Sequence, residues 1–186
     1  IAEYTNSQNT IKPVDLKSLA SEQIEIERYL DEHGIAYARK SGDTGPDDGK
    51  SYRHTISMET FGKILKANAG SPEKATNDLR NIFDSGYRTL FIDEFSIERA
   101  PKLIDSYFDI IEFYRKSKFR GNQLKYFYTL YYSGDSFNFS VAEVAEALEE
   151  KLEEYVKDNE TTPVKALGST AFKKLFELYM GISSSK

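Results

Sequence analysis

Thr5-Asn6-Ser7-Gln8-Asn9-Thr10 is a run of six uncharged polar side chains, followed directly by Ile11-Lys12-Pro13-Val14-Asp15. Such a run has no apolar face to bury, and its amides carry both donors and acceptors. Two kinds of chemistry are open to it. Asn, Ser and Thr side chains bond neighbouring backbone groups in turns and caps. Asn and Gln also pair bidentately with an adenine edge or grip phosphate and sugar oxygens. A second concentration lies between Phe113 and Tyr132, where Arg115, Lys116, Lys118, Arg120 and Lys125 are interleaved with aromatic residues and no acid intervenes. Cations neutralise phosphates while rings stack on bases, so this pattern is what single-strand binding requires. The same residues also suit a helix end, where cations offset the macrodipole and cap carbonyls while the rings join the core. A net charge of -5 opposes nonspecific affinity for DNA.

Other chemistries find little support. The chain has no cysteine, so disulfides, zinc-thiolate sites and thiol nucleophiles are excluded. His33 and His54 stand far apart without a ligand pattern around them and read as surface or capping residues, so no metal site is expected. Neither a Gly-rich phosphate loop nor a Gly-x-Ser-x-Gly elbow occurs. A magnesium-dependent nuclease needs an acid ahead of a Glu-x-Lys-like pair, and the nearest candidate, Tyr37-Ala38-Arg39-Lys40, lacks the carboxylate. Asp47-Asp48 reads as part of a solvated loop and Asp93-Glu94 as structural. No catalytic residue is assigned and no cofactor is expected.

The elements that would position these residues are mostly helices. Asp15 to Glu32 reads as one helix with Ile24, Ile26, Tyr29 and Leu30 on its apolar side and Gly34 as its stop. Ile35 to Arg39 reads as extended, and residues 41–49 as a loop rich in Gly, Pro and Asp. Thr55 or Ser57 caps a helix reaching Ala69, and Ser71-Pro72-Glu73 restarts one whose apolar side is Leu79, Ile82 and Phe83. Tyr87 to Phe95 is a short buried segment of either type. Long helices follow from Ser96 to Lys118, Asn122 to Tyr132, Ser140 to Asp158 and Ser169 to Met180, the last two forming a hairpin across Asn159 to Pro163. The fold class is therefore mainly α, a helical domain with a few short strands or extended segments in the N-terminal half. A helical region over residues 1–133 carries the polar loop, and the C-terminal hairpin over 134–186 packs on it without folding independently.

With 186 residues, 39% hydrophobic and 30% charged, the chain has the composition of a globular protein with a genuine core. Thirteen Tyr and twelve Phe supply much of that core. No apolar stretch is long enough for a membrane span and no basic leader precedes one, so no membrane partner is expected and the location reads as cytoplasmic. The chain starts at Ile1 rather than Met, inside what reads as a motif, and we take it as a piece of a longer protein.

The run from Thr5 to Leu16, a following helix with Gln23, and then Gly34-Ile35-Ala36-Tyr37-Ala38-Arg39-Lys40-Ser41-Gly42 resemble the AIPR proteins, the abortive infection phage resistance family. The resemblance continues through Ile56-Ser57-Met58 into the Phe61 to Ala69 helix and through Ala75 to Phe83 into Tyr87. It covers roughly the first half; beyond Ser96 no motif is recognised. It implies a bacterial defence protein, often encoded beside restriction and modification genes, whose larger members carry a nuclease-like region ahead of this part. The family pattern carries onto Thr5, Asn6, Ser7, Gln8, Asn9, Asp15, Arg39 and Lys40, which form the expected binding surface together with Arg115, Lys116, Lys118 and Arg120. The first expectation is a nucleic-acid-recognition or regulatory module with two cations for an anion; the partner can also be the remaining N-terminal part of the same protein. The alternatives are part of a nuclease whose catalytic acids lie upstream, or a helical scaffold for homo-oligomers.

Overall fold

The computed structural model describes residues 11–40, 43 and 48–183. The six-residue polar run and most of the expected 41–49 loop lie outside them. The chain is mainly helical, and the two strands of its only sheet among the described residues fall in the N-terminal half, as the sequence suggests. By their internal contacts the residues form two compact units, Ile1–Gly62 with Leu79–Pro101, and Lys63–Asp78 with Lys102–Lys186.

In the first unit the expected Asp15 to Glu32 helix is two helices, α1 (Pro13–Lys17) and α2 (Ser21–Glu32). Ser18 causes the break: its hydroxyl donates to the Asp15 carbonyl at 2.7 Å, and Ala20 then takes an extended backbone with ψ of 142°. The buried stripe of α2 is Gln23, Ile26 and Leu30, while Ile24 is 48% exposed. Ile26 and Leu30 face inward as expected and Tyr29 is half-buried, but Ile24 does not, and the amide of Gln23 takes its place on the buried face. Gly34, with φ of +75°, turns the chain out of α2 in a conformation other residues avoid. It feeds β1 (Ile35–Ala38), buried at all four positions, which pairs in parallel with β2 (His54–Ser57) from Ile35 opposite His54 to Ala38 opposite Ser57. A strand covered on both faces reads as a continuous apolar run, and Ile-Ala-Tyr-Ala is one.

Ser57 ends β2 and caps α3 (Met58–Asn68), its Oγ accepting from the Thr60 N–H at 3.0 Å. Around Phe61 the rings of Tyr37, Phe91 and Phe95 stand edge-on with centroids 5.9 to 6.2 Å away. The undecided segment Tyr87 to Phe95 is helical, a widened π turn at Thr89–Asp93, which stacks Tyr87 on Phe91 at 4.8 Å. Before it, the expected restart at Ser71 yields only a 3-10 turn, Pro72–Lys74, and the short α4 (Leu79–Ile82).

The second unit is built on α5 (Ala100–Lys116), α6 (Gln123–Tyr132), α7 (Val141–Asp158), α8 (Pro163–Leu167) and α9 (Thr170–Tyr179). Pro101 sits in the first turn of α5, behind a separate 3-10 turn at Ile97–Arg99, so the helix begins later than Ser96. Side-chain caps fix the later starts: Asn122 on α6, Ser140 in a capping box with Glu143 on α7, Thr162 on α8 and Ser169 on α9. The hairpin connection from Asn159 to Pro163 therefore opens into a short helix before α9. Tyr128, Tyr132, Leu148, Leu152, Phe172 and Phe176 form the core of these helices.

Candidate functional site

The sequence-expected residues fall in separate places. Thr5, Asn6, Ser7, Gln8 and Asn9 lie outside the described residues. Asp15, Arg39 and Lys40 belong to the first unit, and Arg115, Lys116, Lys118 and Arg120 to the second.

Arg39 follows the last residue of β1 and holds three elements together. Its Nε donates to the Glu27 carboxylate on α2 and its Nη1 to the Ser18 carbonyl, just beyond α1. That carbonyl belongs to the turn that bonds back to Asp15, so the helix bearing Asp15 is tied to Arg39 through Ser18. Lys40 comes next, exposed, with no ion pair to any described residue. Beside them is a crevice of about 200 Å³, with Val14, Ala38 and Met58 among its apolar walls and Arg39, Lys40, Asp43 and Glu59 supplying charge. It lies at the carboxyl ends of both parallel strands, where Ser57 opens α3. The start of a helix favours negative charge. The volume is below that of ordinary ligand pockets and admits only a small group, and with Arg39 held by Glu27 the charges left on the lining are Lys40 against Asp43 and Glu59.

A buried polar chain in the same unit escaped the sequence reading. Tyr37 donates to Gln23 Oε1 at 2.6 Å, Gln23 Nε2 donates to the Tyr87 hydroxyl at 3.1 Å, and Tyr87 donates to Glu22 at 2.6 Å. Burial raises the Tyr37 hydroxyl well above its usual pKa, with the neighbouring Tyr87 and Glu27 acting in the same direction. Burial is the largest single influence on the Glu22 carboxyl and works to raise it, but the Tyr87 hydrogen bond, the bonds from its own backbone N–H and from Ser21, and the Lys17 charge together outweigh burial and hold the group below the usual glutamate value. The Lys17 ammonium stands 4.6 Å over the Tyr87 ring. The chain thus runs from a fully covered phenol to a partly exposed carboxylate. The available signal was Gln23 itself, three residues before Ile26 and seven before Leu30, on the buried stripe of an amphipathic helix.

In the second unit the basic-aromatic stretch separates into core and surface. Tyr114, Phe127, Tyr128 and Tyr132 are at most 5% exposed, so these rings pack inward. Arg115 makes two bonds to Glu112, at 2.7 and 2.8 Å, and Lys116 reaches the same carboxylate at 2.9 Å. Arg115 first, then Lys116, holds the Glu112 carboxyl down at about 2. Glu112 lies one residue before the acid-free window, so a window of residues hid what a helix turn brings together. Lys118 lies over the Phe119 ring at 5.4 Å. Arg120 lines a separate cavity of about 510 Å³.

His33 caps α2, its Nδ1 donating to the Tyr29 carbonyl at 2.7 Å, while His54 opens β2. Asp93 and Glu94 are exposed, and Asp93 pairs with Arg88 at 3.4 Å. Asp48 accepts from the Tyr52 hydroxyl at 3.0 Å. Among the described residues no three His, Cys, Asp or Glu side chains are placed to share a metal ion, and no helix is long and apolar enough to cross a membrane.

The sequence model of one protein family, described as AIPR protein, matches residues 1–178. The match runs far beyond Ser96, where the recognisable motifs stop, and takes in the helices of the second unit. No curated protein and no solved structure matches the chain.

Proposed function

The chain belongs to the AIPR family, and on that premise we propose that it serves in phage defence as a binding and regulatory module that recognises phosphate-bearing nucleic acid through the crevice at Lys40. The observation that carries this reading is the contrast between two adjacent cations. Arg39 is engaged on both sides, by Glu27 and by the Ser18 carbonyl, and so is a fixed part of the wall. Lys40, exposed beside it at the ends of β1 and β2, is the group presented to a ligand. An ammonium on a flexible stem contacts phosphate as a point charge, which is how a lysine adds affinity without reading sequence. Asp43 and Glu59 on the same crevice limit that attraction, consistent with a chain of net charge -5 that does not hold nucleic acid indiscriminately. Asn6, Gln8 and Asn9 would add amide contacts that select among ligands.

The test is phage protection by the protein that carries this chain. Lys40→Glu is expected to raise plating efficiency on the protected host toward that of the unprotected one, while Lys40→Arg retains protection. Full protection by Lys40→Glu at equal protein abundance would remove Lys40 from the function. In the alternative reading, where the chain contributes to a nuclease, the catalytic carboxylates come from outside the described residues.

A further inference from the structure

We infer that the cavity of about 510 Å³ in the second unit is a binding site for a small organic anion, a single carboxylate or phosphate head carried on an aliphatic body. This goes beyond the reading of Lys40, with which it shares no residue. The volume lies within the range of about 300 to 1,000 Å³ typical of small-molecule sites. Its apolar wall is Leu152 and Val156 from α7 with Pro163 at the start of α8, and no aromatic ring lines it. An aliphatic body therefore matches the wall better than a base or other flat ring, which would find nothing to stack on.

Its polar end is built around Lys125. The side chain of Lys125 is 6% exposed, and a buried ammonium is held only where it is paired. It donates to Glu149 and to the Arg120 carbonyl, each at 2.6 Å. An ammonium has three N–H donors, so one remains without an acceptor among the described residues. Glu149 is neutralised by Lys125, which leaves Arg120 and Lys157 against Glu153 on the lining, an excess of one positive charge. One negative head satisfies both the remaining donor and that excess. Gly121 keeps the end of the cavity in place, because a Cβ there would meet Tyr126 at 2.6 Å and Tyr114 at 2.8 Å.

The test uses octanoate, octyl phosphate and octan-1-ol as probes, with calorimetry for affinity and methyl NMR for location. Saturable binding of octanoate or octyl phosphate is expected, with resonance shifts at Leu152 and Val156; whichever head binds more tightly identifies the natural one. Octan-1-ol is expected to bind at least about tenfold more weakly, since a hydrogen bond to a charged group is stronger than a neutral one. Arg120→Gln, an exposed position whose backbone carbonyl is unaltered, is expected to weaken the anions by about tenfold and leave octan-1-ol unchanged. No saturable binding of either anion, equal binding of octan-1-ol, or shifts confined to residues away from α7 would each overturn the assignment. Unchanged affinity in Arg120→Gln would overturn the charged head.

Discussion

At the residue scale, the most consequential group in the first unit is an amide. Gln23 is 0% exposed, yet its oxygen and nitrogen are both engaged, by Tyr37 and Tyr87, so it sits in the core without an unpaired polar atom. Tyr37→Phe keeps the ring that packs on Phe61 and removes only the donor. The Gln23 oxygen then stays buried without its partner, and a loss of about 1 to 3 kcal/mol is expected in urea unfolding followed by circular dichroism. Unchanged stability would mean that water or a rotated amide replaces the hydroxyl. Asp31 gives a second expectation, in pH. Lys50 first and then Tyr52 lower its carboxyl below the ordinary value of 3.8. A group with a depressed folded-state pKa contributes stability that is present above its unfolded value and lost as pH falls through the folded one. The advantage of wild type over Asp31→Asn in melting temperature should thus be constant near neutrality and shrink below about pH 4. A constant difference down to acid pH would show that the cluster adds nothing through ionisation.

At the scale of elements, much of the chain is legible from local chemistry. Ser57, Asn122, Ser140 and Ser169 cap the helices their positions suggest, and the alternation of apolar residues places α7 and α9 within one or two residues. Ser140→Ala removes one side of the capping box. An expected loss of about 1 kcal/mol is measurable as a lower denaturation midpoint, and Ser140→Asp should retain most of it. What was not legible depends on partners distant in sequence or on competition within a turn. The α1–α2 break comes from one serine hydroxyl taking a carbonyl that a longer helix would use. Lys173 on α9 donates to the Gly70 carbonyl at 2.7 Å and stands 3.6 Å from buried Glu73, a pairing about a hundred residues apart that no periodicity reveals. The Lys125–Glu149 pair has the same character: Lys125 reads as one more cation of a basic stretch until α7 brings a carboxylate to it. For the candidate site Arg39 and Lys40 stand out in the sequence as a pair of cations, and only the structure distinguishes them, with Arg39 bonded to Glu27 and the Ser18 carbonyl and Lys40 exposed.

At the scale of the whole molecule, the family assignment rests on residues 1–178, both compact units included. The recognisable motifs, from the polar run after Tyr4 to the segment ending at Tyr87, lie in the first half. The helices beyond Ser96 are built from common apolar periodicity, which any helical protein can share and which identifies nothing by itself. The function proposed for Lys40 turns on whether the crevice at the ends of β1 and β2 takes a phosphate. The measurement that decides it is equilibrium binding of labelled single-stranded and duplex nucleic acid at low salt, comparing wild type, Lys40→Arg and Lys40→Glu in the protein that carries this chain. Saturable binding is expected that weakens as salt rises, survives in Lys40→Arg and is lost in Lys40→Glu. Absence of binding at low salt, or a Lys40→Glu protein that binds as wild type does, would contradict it.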